Sequence, residues 1–179
     1  MLKRIVTIGP ESTGKSSLCR LLAEHFKTKW VAEYAREYLL ENGTDYKYED
    51  LAKIAEGQIK GEETIANELL ASPDTTSNLL FIDTDMTVIK VWGEFVFNKC
   101  ENNILTQIAT RSYDLYLLCN VDMPWVKDEL REYPDLVTRE KLYHYYKDLA
   151  VNQPVPWVDI SGSYEERLQK AISAVEKLV

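Results

Sequence analysis

Glycine and proline are scarce, with 7 and 6 in a chain of 179 residues. That scarcity excludes collagen-like repeats and long flexible linkers, and it fits a compact globule. Cysteine is scarcer. Cys19, Cys100 and Cys119 are odd in number, far apart and without metal-ligand spacing. They exclude a disulfide framework and read as reduced thiols of a cytoplasmic protein. The two histidines, His25 and His144, stand alone on helical patterns and receive no role. Basic residues are outnumbered, 21 Lys and Arg against 29 Asp and Glu, for a formal charge of −8. Such a surface speaks against a nucleic-acid partner, whose phosphates want a basic face. No apolar run is long enough to span a membrane. Met1-Leu2-Lys3-Arg4 before Ile5-Val6 begins like a signal peptide, but the apolar run stops at Gly9 and reads as a first strand.

What remains is 45% apolar, enough to bury a proper core in one domain covering 1–179. Its organising stretch is Gly9-Pro10-Glu11-Ser12-Thr13-Gly14-Lys15-Ser16, followed by Ser17. The Gly-x4-Gly-Lys-Ser spacing is that of a P-loop, the Walker A motif. The β-branched run Arg4–Ile8 precedes it as a buried strand, and Leu18, Leu21, Leu22 and Phe26 follow at helical spacing. Strand, glycine loop and helix form the context that gives this motif its meaning. Gly9 and Gly14 let backbone N–H groups fold around phosphates at the positive end of a helix. Lys15 reaches the β- and γ-oxygens of ATP, and the Ser16 hydroxyl takes a place on Mg²⁺.

Periodicity then predicts strands at 29–33, 79–82, 113–120 and 155–160, with helices between them. The first helix ends near Lys27. Further helices run from Tyr34 to Leu40 (stopped by Asn42-Gly43), Tyr48 to Ala71 (closed by Ser72-Pro73-Asp74), Thr87 to Phe97 and Glu101 to Thr110. On the long helix, Leu51, Ile54, Ala55, Ile59, Ala66, Leu69 and Leu70 form the inner side. Thr138 is expected to cap the next helix, and Ser163 with Glu166 to make a capping box for the last. Five strands separated by helices give an α/β fold, a doubly wound parallel sheet with helices on both faces. Ligands of such sheets sit beyond the carboxyl ends of the strands.

Three groups stand at those ends. Asp83 and Asp85 follow Phe81-Ile82, and they project the same way if the strand persists. Asp83 suits the magnesium of ATP, with Ser16, and Asp85 or Glu33 would orient or deprotonate an acceptor hydroxyl. The bland alternative for Asp85 is a helix cap. Glu33 and Arg36 end the second strand, where a carboxylate serves an acceptor hydroxyl and an arginine an anion. A surface i, i+3 pair is the alternative. The charged, aperiodic segment 122–139 fits a lid, with Lys127, Arg131 and Arg139 closing over the phosphates and excluding water. Tyr34, Tyr38 and Trp92 lie near the acceptor-side strand ends, ready to stack on a substrate ring. Asn120-Val121-Asp122 lacks the lysine and spacing of a guanine-reading motif.

Gly9 to Ser16, Glu33-Tyr34-Ala35-Arg36-Glu37-Tyr38, Asp83-Thr84-Asp85 and Asp114–Leu118 resemble the ribosylnicotinamide kinase domain of the bifunctional bacterial NAD-salvage protein. So do Asp122-Met123-Pro124-Trp125, Leu130-Arg131-Glu132 and Gly162–Arg167, which extend the resemblance over the whole chain. It implies a P-loop kinase fold and transfer of the ATP γ-phosphoryl, with Mg²⁺, to the 5′-hydroxyl of nicotinamide riboside, a step of NAD biosynthesis. It places the nucleoside near Glu33–Arg36 and Asp83–Asp85, the lid at 122–139, and adenine near Gly162–Arg167. Two departures stand out. Glu129 occupies a lid position where the family pattern has glycine, and no His-x-Gly-His of an adenylyltransferase occurs, so this chain is expected to stop at the mononucleotide. A flat cationic acceptor suits carboxylates with Tyr or Trp nearby. The rivals are a kinase for another nucleoside and a regulatory ATPase switch.

Overall fold

Alternation along the central strands explains how two layers of helix attach to one sheet. In the computed structural model, which describes residues 1–71 and 77–178, β1 is Lys3–Ile8, β2 Lys29–Val31, β3 Leu79–Asp83, β4 Leu115–Cys119 and β5 Trp157–Ile160. All pair in parallel, in the order β2-β3-β1-β4-β5. Every residue of β3 and β4 is buried, as strands covered on both faces must be. Ile5, Phe81, Leu117 and Cys119 face one way and pack against α1 (Lys15–His25) and α7 (Tyr164–Glu176). Val6, Ile8, Ile82 and Leu118 face the other way. There they meet α3 (Asp50–Ala71), α4 (Met86–Phe97) and α6 (Leu136–Val151). A third cluster joins α2 (Tyr34–Asn42), α3, α4 and α5 (Asn102–Thr110) beside the sheet, through Tyr38, Leu51, Ile54, Met86 and Ile104.

The order places β1 between β3 and β4, so the chain crosses to opposite sides of β1 and leaves a crevice at its carboxyl end. The P-loop fills it. Gly9 adopts φ 134° with a Cβ position only 2.6 Å from the Cys119 carbonyl oxygen, so no other residue fits there.

Several elements depart from expectation. β2 ends at Val31, leaving Glu33 as the N-cap residue of α2. The strand expected over 113–120 is trimmed to Leu115–Cys119, and that over 155–160 to Trp157–Ile160. The cap of α6 is Asp135, which accepts the Thr138 N–H at 2.7 Å, so Thr138 lies inside the helix it was expected to start. Leu70 is exposed, while Gln58 and Glu62 are buried on the inner side of α3. Ser72-Pro73-Asp74, expected to close α3, lie outside the described residues. The capping box of α7 is present, with Glu166 accepting the Ser163 N–H at 2.7 Å. Asn98, at φ 55°, ends α4, and Gly43, at φ 87°, ends α2.

Candidate active site

A cavity of ≈ 270 Å³ opens where the P-loop, the start of α2, one side of α4 and the segment between β4 and α6 converge. Gly9 to Ser17 form one end, including Pro10, Glu11, Ser12, Thr13 and Gly14. Ser12 at φ 56° and Gly14 at φ 80° turn the loop into α1. The Thr13 hydroxyl and the Lys15 ammonium both donate to the Pro10 carbonyl, at 2.7 and 2.9 Å. Buried Arg167 supports the loop from behind. Its guanidinium donates to the carbonyls of Thr13, Gly162 and Asn120 and pairs with Asp122. One arginine thereby ties the P-loop to the ends of β4 and β5. It also lines a small second pocket with Met123, Tyr164 and Gly14.

Asp83, the last residue of β3, lies fully buried behind Lys15 and Ser16. Burial raises its carboxyl above the usual range, while Lys15 and the hydroxyls of Ser16 and Thr7 pull it back. Its Oδ1 accepts from Thr7 at 3.4 Å, and its Oδ2 is buried without a hydrogen-bond partner. An orphaned carboxylate oxygen beside the P-loop serine is a donor set that fits magnesium. Among the described residues no cluster of three His, Cys, Asp or Glu offers a separate metal site.

Asp85 is different. The strand ends at Asp83 and Thr84 takes φ 68°, which breaks the two-residue alternation expected to aim both carboxylates at one site. Asp85 instead caps α4. It accepts from the Thr87 N–H at 3.0 Å, the Thr87 hydroxyl at 3.1 Å and the Tyr116 hydroxyl at 2.8 Å. Burial pushes its carboxyl up to about 6 against those donors. It does not line the cavity, and the helix-cap alternative is the one this engagement matches.

Glu33 faces the cavity without a side-chain capping bond. Its removal from water, then the negative charge of Asp83, push its carboxyl up to about 7, opposed by Lys15 and Arg36. Gln58 sets its position. The Gln58 carbonyl oxygen accepts the Tyr34 N–H at 2.8 Å, and its amide nitrogen donates to the carbonyls of Asp83 and Thr84 at 3.3 and 3.1 Å. One buried amide thus links the two carboxylate-bearing ends. A buried glutamine on a helix looks like any surface residue in sequence, and no pattern marked it.

Beyond Glu33 the cavity turns apolar, with Trp92, Phe95, Tyr133 and Tyr146 on its wall. Of these only Trp92 was singled out from sequence; the others sat unmarked among core-like aromatics. Tyr34 and Tyr38 do not line it. The Tyr34 ring packs where a Cβ on Gly57 would lie, and the buried Tyr38 donates to Asp50 at 2.7 Å. Arg36 and Arg131 line the cavity, whereas Lys127 lies exposed outside it. Arg139 corrects the picture of an arginine swinging over phosphates. It is 3% exposed, belongs to α6, and donates to the Ser12 and Met123 carbonyls at 3.3 Å.

Comparison with known proteins follows the same lines. A family model described as AAA domain matches residues 4–167. The chain is 25% identical to the trifunctional NAD biosynthesis/regulator protein NadR of Escherichia coli (strain K12), across 99% of this chain and 43% of that protein. The Salmonella typhimurium protein of the same name gives the same identity and coverage. The chain therefore spans less than half the length of these relatives, whose name carries one function more than the bifunctional protein the motifs suggested. Among solved structures, NadR protein in complex with NR superposes with a TM-score of 0.77 at 25% identity, over 98% of this chain and 49% of that one. NadR protein in complex with NAD and AMP-PNP gives 0.73 at 26%, over the same shares. Thymidylate kinase from Ehrlichia chaffeensis shares the fold, with a TM-score of 0.67 at 14% identity over 99% of this chain and 98% of that one. The full-length resemblance read from the motifs is borne out, as is the P-loop kinase-like fold. Among the described residues no helix is long and apolar enough to cross a membrane.

Proposed function

The chain belongs to the AAA domain family, and on that premise we propose that it is an ATP-dependent kinase acting on the 5′-hydroxyl of nicotinamide riboside. The product is nicotinamide mononucleotide. The observation that carries this reading is the continuity of one cavity, from the P-loop through Glu33 to an aromatic wall. A donor and a flat nucleoside can lie end to end in it. The relatives whose names include NAD biosynthesis, and the structural neighbour in complex with NR, supply the choice of acceptor.

Lys15 and the N–H groups of the loop bind the β- and γ-phosphates. Ser16 and Asp83 would hold magnesium, which when bound neutralises charge on the phosphate oxygens. Glu33 takes the proton of the acceptor hydroxyl; the alkoxide oxygen bonds to the γ-phosphorus as the bond to the β-bridging oxygen breaks, and ADP leaves. A carboxylate near its midpoint at neutral pH is suited to that transfer. Arg36 and Arg131 face the same space and offset the charge of the transferring group. Trp92 and Tyr133 give the positive pyridinium ring aromatic faces, and Glu33 offers it a negative neighbour.

The test is a nucleoside panel under saturating ATP and magnesium. Nicotinamide riboside is expected to exceed uridine, cytidine, adenosine and thymidine in kcat/KM by at least about a hundredfold, the range a site built around a specific charge gives. A neutral nucleoside that matches it would reassign the acceptor.

A further inference from the structure

A carboxylate in a phosphate loop repels the ligand that the loop exists to hold. The Glu11 side chain is turned away from that conflict, to the segment between β4 and α6. Its Oε2 accepts the Glu132 N–H at 3.0 Å, and its Oε1 accepts the Tyr133 N–H at 2.6 Å and the Trp125 indole N–H at 3.4 Å. Ser12 adds its hydroxyl oxygen, which accepts the Val126 N–H at 2.9 Å. The acceptor side holds the same stretch. The Tyr46 hydroxyl donates to the Glu132 carboxylate at 3.0 Å and accepts from the Trp92 indole at 2.9 Å, with the two rings edge to face at 4.8 Å. Arg36 grips Asp128 through both nitrogens at 3.0 Å. The segment so suspended, 131–133, carries Arg131 and Tyr133 into the cavity.

We infer that Glu11 is a positioning residue, whose carboxylate hangs the segment 131–133 from the phosphate loop, with Tyr46 extending that latch to the acceptor wall. Two backbone donors on one carboxylate make charge-assisted bonds, the stronger kind. Nothing else in the loop reaches these two amides: Ser12 holds Val126, and Arg139 holds the Met123 carbonyl further upstream. The consequence for chemistry is that donor loop and acceptor wall close on one another through a single segment. Without it, Arg131 and Tyr133 lose their registration, and water competes with the acceptor hydroxyl. The kinetic part of this inference rests on the kinase reading above; the structural part does not.

Three variants test it: Glu11→Ala, Glu11→Gln and Tyr46→Phe, each in the whole chain. Amide hydrogen exchange at Glu132 and Tyr133, read by NMR with no nucleoside present, is expected to quicken by about tenfold or more in Glu11→Ala, as loss of a charge-assisted bond implies. Glu11→Gln is expected to fall between, because its one carbonyl oxygen serves one donor fully. Affinity for a non-hydrolysable ATP analogue with magnesium is expected to hold or tighten as the negative charge goes. The KM for the nucleoside is expected to rise about tenfold, with a larger share of ATP lost to water, and Tyr46→Phe should raise that KM while leaving analogue affinity alone. Unchanged exchange in Glu11→Ala would overturn the inference. Loss of analogue affinity in that variant would also do so, because Glu11 would then serve the nucleotide directly. Quickened exchange in a chain that phosphorylates no nucleoside would uphold the latch and overturn the choice of reaction.

Discussion

Glu33 and Asp85 are both acids at the start of a helix, and the structure treats them oppositely. Asp85 meets three donors and works as a cap, while Glu33 meets none and is left to the cavity. The Glu33 carboxyl, pushed up to about 7 from its ordinary 4.5, holds its proton longer folded than unfolded. Stability contributed by that protonated form is complete below about 4.5 and is lost as pH rises to about 7, so the ionised carboxylate costs stability above it. Glu33→Gln is therefore expected to stabilise the fold at pH 8 by about 1–2 kcal/mol and by little at pH 4.5, measured by denaturant unfolding at both. Turnover of the parent should climb through pH 7 along the same titration, and the variant should lose that limb with most of its rate. A gain that is the same at both pH values would remove Glu33 as the titrating group. Asp83 and Asp85 separate in the same way. Asp83→Asn is expected to lower kcat by about a hundredfold or more with a near-parental Tm, as loss of a metal-facing carboxylate does. Asp85→Ala should cost about 2–3 kcal/mol of stability, from a lost cap and an abandoned buried tyrosine hydroxyl, with kcat changed far less.

At the scale of elements, the seat of α2 on α3 decides where Glu33 points. Gly57 lies inside α3, where alanine ordinarily gains about 1 kcal/mol over glycine. Here a Cβ would lie 2.0 Å from the Tyr34 ring, and overpacking of that kind costs about 1–3 kcal/mol. Gly57→Ala is thus expected to lose stability despite its better propensity, and to raise the nucleoside KM as the start of α2 shifts; a stabilised variant with parental KM would show that the ring has room. Much of this framework was legible in the sequence. Strands β3 and β4 were plain from unbroken apolar runs, the P-loop from its spacing, and the cap of α7 from Ser163 and Glu166. Part of the segment between β4 and α6 does line the cavity, but Arg139 looks like a mobile cation in sequence and is a buried brace in space. The shared projection expected of Asp83 and Asp85 is broken because strand alternation was carried two residues past the end of β3, through Thr84 in a left-handed conformation. Gln58 was missed, and Arg167 was read only within a segment near adenine, for a shared reason: most of their partners are backbone groups distant in sequence, and such contacts leave no local pattern.

Across the whole molecule, a formal charge of −8 surrounds a site built for an anion. Attraction for ATP therefore has to be local, from loop N–H groups, Lys15 and the cavity arginines. Binding should be visible as stabilisation. With magnesium and an ATP analogue at a hundred times its Kd, linkage gives about 2.7 kcal/mol, or roughly 5–11 °C in Tm for a chain of this size. The same analogue without magnesium should give much less, and equal shifts in both conditions would argue against Ser16 and Asp83 as a metal-facing pair. The central claim is transfer between two ligands held end to end in one cavity, and phosphorus NMR of a mixture with ATP, magnesium and nicotinamide riboside tests it most directly. The account predicts that the γ-phosphate signal is replaced by a phosphomonoester signal matching nicotinamide mononucleotide, in step with ADP. Inorganic phosphate alone, formed at a rate the nucleoside does not change, would contradict it.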